Sequence, residues 1–278
     1  MHRNDEQWQT FDWDGREIAW RRVGQGPPLV LCHGTPFSSE VWTDLVARVA
    51  ADHTVHLWDM PGYGRSSKAA HHAVDLGVQG RALAALLDHW QLRDPVVVAH
   101  DIGGATALRA HLLHGCDYST LVLVDAVVLR PWGSDFFRLV RDHAEVFAAL
   151  PEAMHRGLVE AYVRGAVHGS LDDATLAGIV DPWLGARGRA AFYAQIAQAD
   201  EQWTVEVEDL LPHVRCPTAV VWGAEDAWLP VEHAHRLAAA LGAPAPTVVP
   251  GAGHLVQVDA VDDLVHAVRH RARPPRDR

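Results

Sequence analysis

At 278 residues, the chain is long enough for one large α/β domain or for a core with a modest insertion. Hydrophobic residues make up 49% and charged residues 21% of the sequence, as in ordinary globular proteins and unlike disordered or collagen-like chains. The formal net charge of -11 argues against a nucleic-acid-binding surface, which requires a basic face.

The segment from Met1 to Thr10 is polar, so it lacks the apolar stretch of a signal peptide. No apolar run approaches the roughly 20 residues that a membrane span needs. Three widely separated cysteines favour free thiols in a reducing compartment. We therefore expect a cytoplasmic protein that acts on a small molecule and binds neither nucleic acid nor a membrane.

Short β-branched runs alternate with helical patterns over the first 130 residues. The runs are continuously apolar, which is typical of strands buried in a parallel sheet. They predict strands at 28–32, 54–58, 95–99 and 121–125. Apolar residues at helical spacing predict helices at 41–51, 75–91 and 105–114.

This alternation stops near Arg130 and resumes after residue 205. Helical patterns without a convincing strand fill residues 131–205, and strands are predicted again at 217–222 and 246–249, with helices at 232–241 and 260–270. Such alternation predicts an α/β fold with a mostly parallel sheet flanked by helices. We therefore predict a core formed by residues 1–130 and 206–278, with an inserted helical cap at 131–205.

The strongest local signal is the junction between the predicted strand at 95–99 and the helix after it. Its sequence, VVVAHDIGG from Val96 to Gly104, puts Asp101 between small residues at Ala99 and Gly103. This is the pattern of a nucleophile elbow, a turn so tight that larger flanking side chains would collide. Asp101 is expected at positive φ, near the positive end of the helix dipole. The alternative is that Asp101 only caps the helix.

Two motifs follow the first two predicted strands. His33-Gly34-Thr35-Pro36 comes directly after the strand at 28–32. A turn-rich loop from Asp59 to Ser67 follows the strand at 54–58. We interpret this second loop as a structural brace for a site at the ends of the strands.

Two late loops complete the set. Asp226 lies on a turn after the strand at 217–222, and His254 follows a Gly-Ala-Gly sequence after the last strand. Asp101, Asp226 and His254 therefore occur in the chain order nucleophile, acid, histidine.

Together these motifs resemble the α/β-hydrolase superfamily and cover nearly the whole chain outside the predicted cap. The sequence His-Asp-Ile-Gly-Gly at the elbow resembles the branch that contains epoxide hydrolases and haloalkane dehalogenases, in which Asp replaces the usual Ser. The resemblance implies an α/β-hydrolase fold and a catalytic triad of Asp101, Asp226 and His254. It also implies an oxyanion hole formed by the N–H groups of Thr35 and Ile102.

An aspartate nucleophile implies a two-step reaction. A carboxylate is ionised at neutral pH and can displace a leaving group from an sp3 carbon, which leaves an alkyl ester on Asp101. His254 would then activate water to hydrolyse that ester, and Asp226 would orient the imidazole. Asp125, at the end of the strand at 121–125, is an alternative acid. We prefer Asp226 because its Gly-x-x-Asp turn precedes Pro230.

The leaving group decides between the two reactions of this branch. An epoxide oxygen needs a proton donor, for which the resemblance suggests the cap residue Tyr193, with Tyr162 as a partner. A halide needs N–H donors, but Ile102 and Thr35 occupy positions where dehalogenases carry Trp and Asn. Trp132 is a remaining candidate for binding the substrate. The sequence therefore favours an epoxide hydrolase acting on a small apolar substrate over a haloalkane dehalogenase.

Other classes remain open at the level of sequence. An ester or lactone hydrolase is chemically poorer, because a carboxylate that attacks an ester would form an unstable anhydride. A non-catalytic binding protein of the same fold would bind ligands without turnover. No cluster of histidines has a convincing third metal ligand, and no phosphate-binding loop is present, so neither a metal nor another cofactor is expected.

Overall fold

Eight strands form one sheet in the computed structural model, which describes residues 7–271. Their order across the sheet is β1-β2-β4-β3-β5-β6-β7-β8. The strands are β1 (Gln9–Trp13), β2 (Arg16–Gly24), β3 (Pro28–Cys32), β4 (Thr54–Trp58), β5 (Val96–His100), β6 (Thr120–Val124), β7 (Thr218–Gly223) and β8 (Thr247–Val249). The pairs β1–β2 and β2–β4 are antiparallel, and the other neighbours are parallel. The predicted mostly parallel sheet is confirmed.

The hairpin of β1 and β2 was not predicted. Its turn is Asp14-Gly15, with φ of 49° and 72°, the conformation that two-residue hairpins favour. Along β1, half-buried and exposed residues alternate because only one face of this edge strand packs on the protein. Continuous apolar runs identify strands buried on both faces and therefore miss such a hairpin.

Helices flank the sheet. In the core they are α1 (Thr43–Val49), α2 (Leu76–His89), α3 (Ile102–His114), α10 (Glu232–Ala240), α11 (Val256–Asp259) and α12 (Val261–Arg271). α2 packs on α3, whereas α1 packs on α11 and α12. The predicted helix at 41–51 is divided into a 3-10 helix (Ser39–Trp42) and α1. The helix predicted at 105–114 begins earlier, at Ile102, directly after Asp101.

Six helices lie between β6 and β7 in the chain. They are α4 (Asp135–Asp142), α5 (Ala144–Ala148), α6 (Glu152–Arg164), α7 (Asp173–Val180), α8 (Gly185–Ala197) and α9 (Gln202–Glu208). α4 and α5 pack on α8, and α6 packs on α7. The predicted boundary at residue 205 falls inside α9, which packs on α3. The division into core and cap stays a prediction. Among the described helices, none is both long and apolar enough to cross a membrane.

The parallel strands bring the predicted site residues to one edge of the sheet. Asp101 and Asp125 directly follow β5 and β6, and Asp226 lies three residues after β7. Thr35 follows β3, and His254 follows β8. Because the carboxyl ends of parallel strands meet at the same edge, these five residues converge there.

Candidate active site

Asp101 occupies a strained turn between β5 and α3. Its backbone has φ 52° and ψ -125°, a conformation that costs on the order of 1–3 kcal/mol. Three backbone hydrogen bonds hold it in place. The N–H of Asp101 donates to Val124 O at 3.1 Å, and its carbonyl accepts from Gly104 and Val127 N–H at 2.9 and 3.0 Å. The positive φ expected of an elbow residue is therefore present.

Two glycines allow the chain to approach this turn closely. A Cβ at Gly103 would lie 2.6 Å from the backbone oxygens of Cys32 and His33, so a side chain there would collide with the loop after β3. A Cβ at Gly34 would lie 2.4 Å from the Cβ of Asp101. The pattern of small residues predicted the first restriction, and the second became visible only in the structure.

The carboxylate of Asp101 is buried, with 4% of the residue exposed. Its Oδ1 accepts a hydrogen bond of 2.7 Å from the N–H of Thr35. Its Oδ2 lies 3.5 Å from His254 Nε2, a distance that makes this an ion contact rather than a strong hydrogen bond. The N–H of Ile102 begins α3 and has no partner within the helix. Thr35 therefore contacts the carboxylate directly, and Ile102 N–H as its second donor stays a prediction.

Behind Asp101, His254 and Asp226 form a buried pair. His254 Nδ1 donates to Asp226 Oδ2 at 2.9 Å, which leaves Nε2 directed towards Asp101. The other oxygen of Asp226 accepts hydrogen bonds from the N–H groups of Trp228 and Leu229 at 2.8 and 3.0 Å.

Two aromatic rings shield the imidazole of His254. The ring centroids of Trp228 and His100 lie 4.8 and 4.7 Å from that of His254. Asp226, and not Asp125, is the carboxylate that binds the histidine.

The charges of this pair reinforce each other. Burial opposes protonation of His254, but the nearby carboxylates of Asp226 and Asp101 outweigh it and raise the pKa of His254 well above its usual value. Burial likewise opposes ionisation of Asp226, yet the charge and hydrogen bond of His254 and the N–H groups of the following turn lower the pKa of Asp226. Both shifts favour a protonated His254 beside an ionised Asp226.

The loop after β4 braces the site, as its sequence predicted. The buried carboxylate of Asp59 accepts hydrogen bonds from Ser39 N and Oγ at 2.8 and 2.7 Å and from Arg65 N at 2.7 Å.

His33 links this loop to the loop after β3. It donates from Nδ1 to Gly34 O and accepts at Nε2 from Met60 N–H. These residues orient the backbone that carries Thr35.

A cavity of about 40 Å³ opens onto Asp101. Most of its lining is apolar, and it comes from the strand ends and from the helical segment. The lining residues are Thr35, Asp101, Ile102, Val127, Trp132, Gly133, Ser134, Phe137, Tyr162, Trp228 and Leu229. The predicted substrate-binding residues Tyr162 and Trp132 are among them.

Tyr193, the other predicted substrate-binding residue, does not line this cavity. Its hydroxyl lies 2.9 Å from His155 Nδ1, and His155 Nε2 lies 2.9 Å from Trp183 O. Because a carbonyl only accepts, the neutral His155 donates from Nε2, and Nδ1 must accept the Tyr193 proton. Burial raises the pKa of Tyr193 to about 12 and lowers that of His155, which fits this arrangement. The Tyr193 hydroxyl is therefore already committed as a donor.

Tyr162, which the sequence suggested as the partner of Tyr193, does line the cavity. Its ring stacks on Trp228 at 4.4 Å, and Trp228 in turn covers His254. Burial, and then the charges of Asp101 and Asp226, raise the pKa of Tyr162 well above its ordinary value. Among the described residues, no hydrogen bond to its hydroxyl is present, so the Tyr162 proton is not committed to another group of the protein.

Two indole N–H groups in this region, those of Trp132 and Trp183, are already engaged. The indole N–H of Trp132 donates to Thr204 Oγ1 at 2.9 Å, and that of Trp183 donates to Pro36 O at 2.6 Å. Thr35 also uses its hydroxyl, which donates to Gln195 Oε1 at 2.8 Å. A halide in this cavity would therefore not receive the indole N–H of Trp132 or Trp183 without breaking an existing hydrogen bond.

Sequence reasoning missed several residues of the site. Trp228 lies two residues after Asp226, so its place on the acid loop was a usable signal. Phe137 and Gln195 gave none, because they lie on helices α4 and α8 whose orientation depends on packing. Gln195 accepts from both Thr35 and Tyr63 and thereby links α8 to two core loops.

Comparisons with known proteins support the fold. The sequence pattern of the Alpha/beta hydrolase family matches residues 29–267. A crystal structure of an alpha/beta hydrolase fold protein from Burkholderia ambifaria is 43% identical, with a TM-score of 0.90 over 95% of this chain and 97% of that chain.

Two further similarities involve named enzymes. The Pimeloyl-(acyl-carrier protein) methyl ester esterase of Vibrio vulnificus is 25% identical over 90% of this chain and 96% of its own length. A point mutant of a haloalkane dehalogenase from Agrobacterium tumefaciens C58 is 19% identical, with a TM-score of 0.79 over 95% of this chain and 96% of that chain, and it shows the fold alone. The chain spans 66% of the length of a dihydrolipoyllysine-residue acetyltransferase component of the acetoin cleaving system of Pseudomonas putida, to which it is 28% identical, and 96% of the length of the Vibrio esterase.

Proposed function

This chain belongs to the alpha/beta hydrolase family, and we propose that it hydrolyses small apolar epoxides through a covalent ester on Asp101. The observation that carries the proposal is the buried carboxylate of Asp101 at the elbow, with Thr35 N–H on one oxygen and His254 near the other. The small, mainly apolar cavity supports a small apolar substrate. The similarity to a methyl ester esterase does not explain why this chain has an aspartate at the position of the nucleophile.

In the first half-reaction, Oδ2 of Asp101 attacks an epoxide carbon. The carbon–oxygen bond of the strained ring breaks, and the departing oxygen takes the proton of the Tyr162 hydroxyl. A positioned general acid of this kind contributes about 10²- to 10⁴-fold to the rate. The products of this step are an alkyl ester on Asp101 and a tyrosinate, and the tyrosinate takes up, through solvent, the proton that His254 loses once the ester has formed.

In the second half-reaction, His254 removes a proton from water, and the oxygen of that water attacks the carbonyl carbon of the Asp101 ester. Negative charge develops on Oδ1, where Thr35 N–H already donates at 2.7 Å and Ile102 N–H supplies a second donor. Each such donor stabilises the transition state by roughly 3–4 kcal/mol. Collapse of the tetrahedral intermediate releases the diol, which takes its proton from the His254 imidazolium, and the second proton of the water, left on the Asp101 carboxyl group, passes to His254 and restores the resting site.

Ester formation itself prepares His254 to act as a base. In the resting site, the charge of Asp101 is one of the causes that hold the pKa of His254 well above its usual value. The ester is neutral, so this cause disappears when the first half-reaction is complete. His254 then loses its proton more readily, at the stage where a neutral imidazole is needed.

Two features favour an epoxide over other substrates. A tyrosine hydroxyl can protonate an alkoxide, whereas a halide requires N–H donors, and those of Trp132 and Trp183 are engaged elsewhere. An ester substrate would form an acid anhydride on Asp101, which is a much poorer intermediate than an alkyl ester. We therefore place ester hydrolysis and dehalogenation behind epoxide opening.

Intact-protein mass spectrometry of His254→Gln tests the proposal. The variant should form the ester but fail to hydrolyse it, because the base is missing. Incubation with a panel of small epoxides and haloalkanes should give a mass gain equal to a whole epoxide, on a peptide that contains Asp101. His114→Gln, an exposed position at the end of α3, is the matched control and should turn over without accumulating an adduct.

Other outcomes separate the alternatives. A gain equal to an alkyl group without its halogen would identify a haloalkane dehalogenase. Absence of any adduct, together with ester hydrolysis by the wild type, would rule out the covalent mechanism at Asp101. Binding of panel compounds without turnover by either protein would favour the non-catalytic reading.

A further inference from the structure

A second carboxyl group, that of Asp125, lies behind the pair of His254 and Asp226. Asp125 directly follows β6, is fully buried and has a φ of 41°. Its Oδ1 accepts a hydrogen bond of 2.8 Å from Gly223 N–H at the end of β7. The reaction described above assigns no task to this residue.

The other oxygen of Asp125 has no donor. Among residues 7–271, no N–H or O–H group donates to Oδ2 of Asp125, although this atom is buried. The carboxyl group of Asp226 is the neighbouring side chain that acts on Asp125 through its charge and as a side-chain hydrogen-bond partner. Two ionised carboxylates cannot share such a contact, since neither has a proton to donate.

The surroundings decide which of the two groups carries the proton. Asp226 accepts two N–H groups of its own turn as well as His254 Nδ1, all of which stabilise its charged form. Within the described part of the chain, Asp125 accepts from one N–H group only. Burial, and then the charge of Asp226, raise the pKa of Asp125 well above its ordinary value, and the opposing effects of His254 and Gly223 N–H are smaller. The proton therefore belongs on Asp125.

We propose that Asp125 is a neutral carboxylic acid that donates a hydrogen bond from Oδ2 to Asp226, and so acts as a positioning residue for the Asp226–His254 pair. The protonation itself does not depend on the substrate, whereas its effect on turnover rests on the proposed function. A buried acid kept neutral so that it can donate is an established device in active sites.

A neutral Asp125 also limits the pKa of His254, the base of the second half-reaction. The charges of Asp226 and Asp101 already raise the pKa of His254. A third negative charge at Asp125 would raise it further and hinder the loss of its proton during ester hydrolysis. A protonated Asp125 fixes the orientation of Asp226 without adding this charge.

Infrared spectroscopy at neutral pH tests the protonation directly. The wild type should show the C=O stretch of a protonated carboxylic acid that shifts on exchange into D₂O. Asp125→Asn should lose this band, and Asp101→Asn, which changes a buried carboxyl group of the same site, should retain it. If no such band exists in the wild type, or if it survives in Asp125→Asn, the proposal is wrong.

The pH dependence of unfolding gives a second readout without any substrate. A carboxyl group whose folded pKa is raised binds a proton on folding, so its stabilising effect is lost as the pH rises from the unfolded pKa towards the folded one. Over that window the unfolding constant of the wild type should rise about tenfold more per pH unit than that of Asp125→Asn. Parallel curves would contradict a protonated Asp125. Asn is suited to the positive φ at this position, so the variant is expected to fold.

Turnover of an epoxide identified by the trapping experiment tests the positioning role. Asp125→Asn keeps a neutral hydrogen-bond donor, so its kcat should stay within about threefold of the wild type and its pH profile should be unchanged. Asp125→Ala has no donor, so its kcat should fall roughly tenfold with little change in KM. Equal and severe losses in Asp125→Asn and Asp226→Asn would show instead that Asp125 is an ionised member of the triad. Failure of the proposed epoxide activity would leave the infrared and unfolding results intact, so the two claims can be separated.

Discussion

The two walls of the cavity above Asp101 differ in how their polar groups are used. On the wall formed by the strand ends lies Asp101, and behind it His254 contacts both Asp101 and Asp226, all three on short loops with strained or closely packed backbone. On the wall formed by residues 132–162, aromatic rings dominate, and the Trp132 indole is engaged within the protein. In the proposed mechanism, the strand ends therefore determine the type of bond that is made, and the few uncommitted groups opposite them determine which leaving group is accepted.

Two tyrosine variants test this difference between the walls, and they are expected to give the largest change in kcat. Tyr162→Phe should lower kcat for an epoxide by about 10²-fold or more, because the cavity loses its general acid. Tyr193→Phe should change kcat by no more than about threefold, since the Tyr193 hydroxyl donates to His155 and not into the cavity. Steady-state kinetics on both variants measures the contrast.

Thermal unfolding serves as the control for this pair. Tyr193→Phe leaves His155 Nδ1 buried without its donor, which should cost about 1–3 kcal/mol of stability and lower Tm. Tyr162→Phe should be closer to the wild type in Tm. If instead Tyr193→Phe loses activity and Tyr162→Phe does not, the assignment of the two walls is wrong.

The amount of alkyl-enzyme that accumulates should depend on pH, and this effect is smaller but more specific to His254. Hydrolysis needs neutral His254, so below the pKa of His254 in the alkyl-enzyme its rate should fall about tenfold per pH unit. Ester formation does not need neutral His254 and should fall less steeply. Rapid quenching of the wild type followed by intact-mass measurement should therefore show more alkyl-enzyme as the pH is lowered. A decrease of the ester with falling pH would mean that His254 assists the first half-reaction rather than the second.

The difference between the strand ends and the helical segment also explains which site residues the sequence could predict. Asp101, Asp226 and His254 each lie on a short loop directly after a buried strand, so the strand pattern fixes their positions almost independently of distant contacts. The parallel sheet then brings them to one edge. Even the preference for Asp226 over Asp125 followed from a local turn, and the bond to His254 Nδ1 agrees with it.

Residues on the helical segment could not be placed in this way. Tyr162 on α6 and Tyr193 on α8 are chemically identical candidates in the sequence, and only the packing of α8 against α4 and α5 separates them. The link from Gln195 to Thr35 spans 160 positions and has no local signature. The β1–β2 hairpin was missed for a different reason, because its Asp14-Gly15 turn was present but no continuous apolar run accompanied it.

Isotope labelling of Asp101 tests the covalent mechanism most directly. With wild-type enzyme in excess over an epoxide in H₂¹⁸O, water attacks the ester carbonyl, so the oxygen that enters the diol comes from Asp101 and ¹⁸O remains in the enzyme. Peptide mass spectrometry should find ¹⁸O in the Asp101 carboxylate and a diol without label after a single turnover. A labelled diol together with an unlabelled Asp101 would mean that water attacks the substrate directly, and would contradict the central claim.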